Sequence, residues 1–222
     1  MKISNLLALI AVVIGGIAIA APGYAAQSQD CHLKPVVDSS TALQSSQTVA
    51  VLYSENTVSN LQYLQQYHAV ASRDARDSQL DDRIRQAFID SSDPRLAIDR
   101  LQGALHERFA KVTVYENLDA ALQARPDVVV MLDTYNRLLT QRNSQVEARF
   151  SATFYDADLQ FIGKAEGYGN EDLTAAWMQG KSAEQIAARI DYQRALQLDA
   201  LKQFDRSLDA LSNGQSGRIA AN

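Results

Sequence analysis

Three histidines, two close pairs of aspartates and one glycine-rich run are the residues here whose types and spacing could carry chemistry. His32, His68 and His106 would supply a general base or metal ligands. A metal needs clustered ligands and a nucleophile needs a neighbouring base. No histidine has a second one at i+3 or i+4, the spacing that puts two rings on one helix face. Glu107 follows His106 directly, and adjacent residues on a helix point in different directions. Asp156 and Asp158 could form an acid–base pair, but two aspartates between strand-like runs are turn formers first. Asp81-Asp82 precedes a helical pattern, where negative charge is favourable. Gly163, Gly167 and Gly169 would cradle a phosphate only if a helix N-terminus followed at the right distance, and none does. Gly-x-Ser-x-Gly, a Walker loop and a dinucleotide fingerprint are all missing from the sequence. The expectation is a protein with no catalytic residues, no cofactor and no metal.

What remains is surface. Glu147, Arg149 and Tyr155 fall on the polar side of an alternating strand, and Trp177-Met178 form a large apolar pair in a connection, GNEDLTAAWMQG. Such a pair either tucks against the core or forms a partner-binding patch. These five residues are the candidate partner contacts. Tyr115–Glu116 and Tyr135–Asn136 close strand patterns and are placed to rim a groove.

The chain opens MKISNLLALIAVVIGGIAIAAPGYAAQ: one lysine, an apolar run from Leu6 to Ala21, then small residues up to Ala25. That is the layout of a secretory signal. Cleavage is expected after Ala25, with Ala18-Ile19-Ala20 as a second, earlier site; the alternative is an uncleaved anchor, the one route to membrane contact. The sole cysteine, Cys31, follows Ser28-Gln29-Asp30 and not the small-residue box of a lipoprotein signal. It cannot form a disulfide within the chain, although it can pair between chains. A formal net charge of −5 argues against a generic nucleic-acid or anionic-membrane surface. The location implied is the periplasm, with secretion or outer-membrane association through a partner as alternatives.

Beyond a Ser- and Gln-rich lead segment (residues 26–47), the pattern predicts one domain over residues 48–212 and a tail over 213–222. Thr48–Ser54 reads as a strand covered on both faces. Two helices are expected before Phe109, the second opening at Asp93-Pro94 and burying Ile98, Leu101, Leu105 and Phe109. Lys111–Leu118 reads as a strand, LDAALQA as a short helix, and Asp127–Leu138 as a strand that is buried first and emerges after Asp133. Val146, Ala148, Phe150, Ala152 and Phe154 alternate with polar residues, and LQFIGKAEGYG returns with Leu159, Phe161, Gly163, Ala165 and Gly167 on one face. Ser182-Ala183-Glu184-Gln185 is a capping box opening a helix of thirty residues, about 45 Å long, one end of which should project. Its buried stripe is Ile186, Ile190, Leu198, Leu201, Phe204 (or Leu208) and Leu211. The fold class is α/β (α+β): a mixed sheet of about five strands, an antiparallel C-terminal meander, and packing helices.

The entry Pro126-Asp127-Val128-Val129-Val130, the hairpin Tyr155-Asp156-Ala157-Asp158-Leu159, the early strand Thr48–Leu52 and the closing helix together resemble a layout of bacterial envelope accessory domains. Families with it include the curli secretion lipoprotein, the Pel polysaccharide export lipoprotein, penicillin-binding-protein activator lipoproteins and the amino-terminal domain of the Tol translocation protein. The resemblance spans roughly Thr48 to Leu211 and departs from the lipoproteins at Cys31. It implies a non-enzymatic docking or assembly role with an envelope protein partner, using a sheet edge or the projecting helix. Self-association into a homo-oligomer stays open. The alternative is a small-ligand binder with a pocket between Gly163, Ala165, Gly167 and the closing helix; an enzyme is the third reading.

Overall fold

A computed structural model describes residues 43–73, 81–140, 143–173 and 182–214, all within the unit Pro35–Asn222. The order is β1 (Thr48–Tyr53), α1 (Glu55–Arg73), α2 (Asp82–Ser91), α3 (Leu96–His106), β2 (Lys111–Val114), α4 (Leu118–Gln123), β3 (Val128–Arg137), β4 (Gln145–Asp156), β5 (Phe161–Asp172) and α5 (Ala183–Ser212). The strands form one mixed sheet in the order β2-β1-β3-β4-β5. β1 is parallel to β2 and β3, and β3-β4-β5 is an antiparallel meander. The signal, Cys31, His32, Trp177 and Met178 lie outside the described residues.

β1 is apolar throughout because both of its faces are covered. Val49 and Val51 join the main core under α3 and α5, whereas Ala50 and Leu52 pack with Val129 and with Ala121 of α4 on the other face. Its first residue is clamped to β3. Thr48 donates from its N–H (2.7 Å) and its hydroxyl (2.8 Å) to Asp127 Oδ2, and the Asp127 N–H returns a bond to the Thr48 hydroxyl (3.1 Å). These donors hold the Asp127 carboxyl below the usual carboxylate range. Leu43 is buried in the same core, so packing begins ahead of β1.

Three helices, not two, precede β2, and α1 is the long one. Asp81 caps α2, accepting from the Arg83 N–H at 2.9 Å. α3 begins at Leu96, later than Asp93-Pro94 suggests; Asp93 instead accepts from the Arg95 N–H at 2.9 Å in the turn before it. Its buried stripe is Ala97, Leu101, Ala104 and Leu105, and Ile98 is only half-buried.

Phe150 and Phe154 are fully buried under α5, as the alternation requires. The return strand differs in one detail. The pairing register shifts between Phe154/Tyr155, where Phe154 opposes Gly163 and Tyr155 opposes Phe161. That irregularity turns Ile162 inward, and Leu159 and Phe161 stay exposed at 39% and 38%. The hairpin turns on Asp156, whose Oδ1 accepts from the N–H groups of Asp158 (3.0 Å) and Gln160 (2.8 Å).

The capping box at Ser182 and Gln185 is formed, and α5 runs to Ser212. No end projects. Its first half packs Ala187 and Ile190 against Ile84 and Ala87 of α2, with Leu139, Val146 and Leu173, in a second core. Its second half lies on β5 so closely that a Cβ on Gly167 would stand 1.9 Å from the Ala200 carbonyl oxygen. Gly163 faces Leu211 and Gly169 faces Leu196 in the same way, so the helix fills the space above the glycines. Ile186 and Leu198 are half-buried, whereas Gln193 and Gln197 are buried within the stripe.

Gly167→Ala should therefore force the helix off the strand and lower stability by about 3 kcal/mol or more, comparable to severe overpacking. Gly103→Ala, in a helix with nothing near the added carbon, should raise it by about 0.5–1 kcal/mol. Urea unfolding of the two variants checks both signs. Because Asp127 titrates below its ordinary 3.8 in the folded chain, its bonds stabilise above that pH and are lost as pH falls through the folded value. Asp127→Asn should lower the melting temperature at neutral pH and flatten the acid limb below the ordinary carboxylate value of 3.8, as read by melts across pH.

Candidate functional surface

β3 outruns β1. Their pairing ends at Tyr53 with Leu132, yet β3 continues to Arg137 beside β4. From Thr134 onward, alternate N–H groups on the β1 side have no strand to meet, and a buried unpaired N–H is costly. α1 takes the place of the missing strand with side chains. The Thr57 hydroxyl donates to the Leu132 carbonyl and accepts the Thr134 N–H, both at 2.9 Å. Asn60 accepts the Asn136 N–H through Oδ1 at 2.9 Å and donates through Nδ2 to Thr134 Oγ1 and Asn136 Oδ1, each at 3.1 Å. The Leu138 N–H reaches the Tyr63 hydroxyl at 3.3 Å, and the Tyr67 hydroxyl donates to the Leu139 carbonyl at 2.6 Å. Gln193 of α5 completes the row by accepting the Leu139 N–H at 2.9 Å. Gln193 also donates to the Ser91 hydroxyl, and Gln197 donates to the Ser91 carbonyl at 3.0 Å. Ten residues of helix rise about 15 Å and five of strand about 17 Å, so the two ladders keep step.

This explains why β3 does not emerge after Asp133. Thr134 and Asn136 are 1% and 5% exposed, held inward by α1. Asn136 therefore does not rim a groove, and Tyr135 and Arg137 alone turn to the opposite, wet face. Burial lifts the Tyr63 and Tyr67 hydroxyls above the usual phenol range, so both stay protonated donors and acceptors at neutral pH.

The sheet register sets the wet face. Arg149 pairs with Tyr135 on one side and Tyr168 on the other, which lines up Tyr135–Arg149–Tyr168 across three strands. The Arg149 guanidinium lies over the Tyr135 ring, 5.3 Å from its centroid. Tyr168 is 45% exposed. The next row is Arg137–Glu147–Asn170, and the Arg137 guanidinium donates to the Tyr135 hydroxyl (3.3 Å) and to Gln145 Oε1 (3.2 Å). Both rows border open depressions, one of which reaches Gln203 of α5. Glu147 and Arg149 are thus brought together, half-buried and exposed respectively. Tyr155 is not with them: eight residues along β4 separate it from Glu147, about 27 Å. It packs edge-on to Phe161, with ring centroids 6.4 Å apart. Arg137 and Tyr168 are not among the residues singled out by sequence, and Tyr135 is placed there only as a groove rim; alternation out of phase with Thr134, Phe150 and Gly167 is the available signal.

Of the other expected surfaces, the β5 edge is covered in part by α5, β2 forms the second edge of the sheet, and Trp177-Met178 lie outside the described residues. Two outward N–H groups of β5 are taken by α5, Glu166 by Ser207 Oγ (3.1 Å) and Tyr168 by Gln203 Oε1 (3.5 Å), so the middle of this edge is closed to strand addition. α5 fills the space directly above Gly163, Gly167 and Gly169, and Gly167 also borders the open depression that reaches Gln203. His68 is a packing residue, its Nδ1 3.2 Å from the Ile89 carbonyl oxygen and 3.3 Å from Ser92 Oγ. Among the described residues no group of three His, Cys, Asp or Glu could hold a metal, and no helix is long and apolar enough to cross a membrane.

No family model matches the chain, and no curated protein matches it. Among solved structures it is similar to a PelC variant dodecamer from Paraburkholderia phytofirmans, with 14% identity, 78% of this chain and 92% of that one covered, and a TM-score of 0.35. It is similar to a minor lipoprotein from Acinetobacter baumannii at 12% identity, covering 78% and 96%, with a TM-score of 0.31. A hypothetical protein from Chlamydia trachomatis follows at 10% identity, covering 76% and 99%, with a TM-score of 0.30. Likeness this weak leaves function to be argued from the chain's own residues.

Thr57→Val keeps the side-chain shape and leaves the Thr134 N–H without its acceptor. It should cost about 1–3 kcal/mol, seen as a melting temperature lower by roughly 3–10 °C. Ser59→Ala, on the exposed side of α1, should change neither.

Proposed function

We propose that the chain is a non-enzymatic accessory protein of the cell envelope that docks an envelope protein through the wet face of β3, β4 and β5. The Tyr135–Arg149–Tyr168 row carries this reading. Tyrosine and arginine are enriched among the residues that dominate protein interfaces: tyrosine offers a flat apolar ring with a polar end at a low cost in conformational freedom, and arginine a planar fork of donors. Here the arginine is already stacked on a ring, so its planar fork is oriented before a partner arrives. A partner carboxylate meeting Arg149 and an apolar side chain settling on Tyr168 suit that chemistry. Glu147 and Glu166, on either side, select against a partner that is acidic throughout.

The apolar front segment is the reason for placing the protein in the envelope. It reads as an export signal cleaved after Ala25, which delivers the domain to the periplasm.

A photocrosslinking amino acid placed at Tyr168 should capture a discrete envelope protein in living cells. Arg149→Ala should cut the yield about tenfold or more, the effect of losing an interface anchor. Absence of any adduct, or an adduct indifferent to Arg149, would overturn the reading.

A further inference from the structure

Charges of both signs interleave on the wet face, and their order has a symmetry. Along β4, Glu147 and Arg149 are two residues apart, about 7 Å, and share the outer side. The register places each in a row across three strands, Arg137–Glu147–Asn170 and, beside it, Tyr135–Arg149–Tyr168. Arg137, Arg149, Tyr168 and Asn170 are exposed, and Tyr135 and Glu147 are half-buried. A twofold axis running across the strands between these two rows exchanges them, so that each row of one copy lies on the other row of a second copy. Arg149 then meets the second copy's Glu147, and Glu147 meets the second copy's Arg149. Tyr135 meets Arg137, whose guanidinium suits the face of a ring, and Tyr168 lies against the Asn170 amide. An axis through either row would instead set Arg149 on Arg149 or Glu147 on Glu147, because a twofold contact lays a surface on itself. At the rim Glu166 faces Asp172, and Glu166 is already paired with Lys164 at 2.7 Å.

We propose that the envelope protein docked on the wet face is a second copy of this chain, joined face to face about that axis, which takes the wet-face reading as given and names its partner. A chain with a net charge of −5 repels its own copies at long range, so a contact between them must set opposite charges face to face. These two rows do so twice. A second copy carries the same export signal and reaches the same compartment. It is also a partner that Glu147 and Glu166 do not select against, since its facing surface is not acidic throughout. Twisted sheets stack face to face with their strands roughly aligned as an ordinary mode of packing. The face available, three strands wide and about 30 Å long, is at the low end of specific interfaces, the class of transient encounters guided by charge.

Charge exchange tests the axis itself. Glu147→Arg sets arginine on arginine between like copies, and Arg149→Glu sets glutamate on glutamate. Each variant alone should dimerise at least about tenfold more weakly than the unaltered chain, with circular dichroism unchanged. Mixing the two variants restores both unlike pairs and should recover the dimer. The chain carrying both changes again opposes unlike charges and should dimerise by itself. Sedimentation velocity between about 10 and 300 µM, the range of a weak contact, reads all four. The chain is recovered from its own cells and kept with a reductant so that Cys31 cannot link copies. In cells, the photocrosslink from Tyr168 should give an adduct of twice the mass of the exported chain. An unaltered chain that stays monomeric, a single variant that dimerises as before, or a mixture or double variant that stays monomeric would each overturn the proposal. A Tyr168 adduct with a different protein would overturn it and leave the wet-face reading standing, whereas no adduct would overturn both.

Discussion

The end of β1 at Tyr53 is the constraint on which the rest of the architecture turns. β3 must run on past that point to pair with the whole of β4, and its buried backbone then needs donors and acceptors that no strand provides. Thr57, Asn60, Tyr63 and Tyr67 of α1 and Gln193 of α5 supply them. The same bonds fix α1 beside the sheet, lock the inward rotation of Thr134 and Asn136, and so turn Tyr135 and Arg137 outward. Stability and the presentation of the wet face therefore depend on one row of hydrogen bonds.

α5 imposes the second constraint. Gly167 lets the helix backbone touch the strand, and Gly163 and Gly169 admit Leu211 and Leu196. Once seated there, α5 takes the N–H groups of Glu166 and Tyr168 on the outer edge of β5 and roofs Phe150 and Phe154. α2 then covers the first half of the helix through Ile84 and Ala87, which is why thirty residues of helix leave no free end. With that face used for packing, the opposite side of the meander is left wet, and there Arg149 stacks on Tyr135 beside Tyr168.

Much of this was legible before any coordinates. Strict alternation from Val146 to Phe154, the aspartate turn after it, the capping box at Ser182 and the two-faced apolar run of β1 are local patterns, and each element formed where its pattern lay. The face of β4 carrying Glu147 and Arg149 was legible for the same reason. Less legible was the return strand: a single register shift opposite Tyr155 put Ile162 inside in place of Phe161, and no periodicity in the sequence announces a shift of one residue. Ile98, Ile186 and Leu198 were assigned to buried stripes by hydrophobicity alone, and small or polar neighbours took those places because the closest packing was there.

The sequence by itself determined the kinds of elements and the mixed sheet, because periodicity, caps and turns act between residues a few positions apart, but not the number of helices before β2. Only the tertiary structure decided which polar residues go inside and which aromatic residues share a face. Asn60 and Asn136 lie 76 positions apart, and the burial of either is favourable only because the other is there. Tyr135, Arg149 and Tyr168 belong to three strands, and it is the pairing register, an outcome of the whole fold, that sets them side by side.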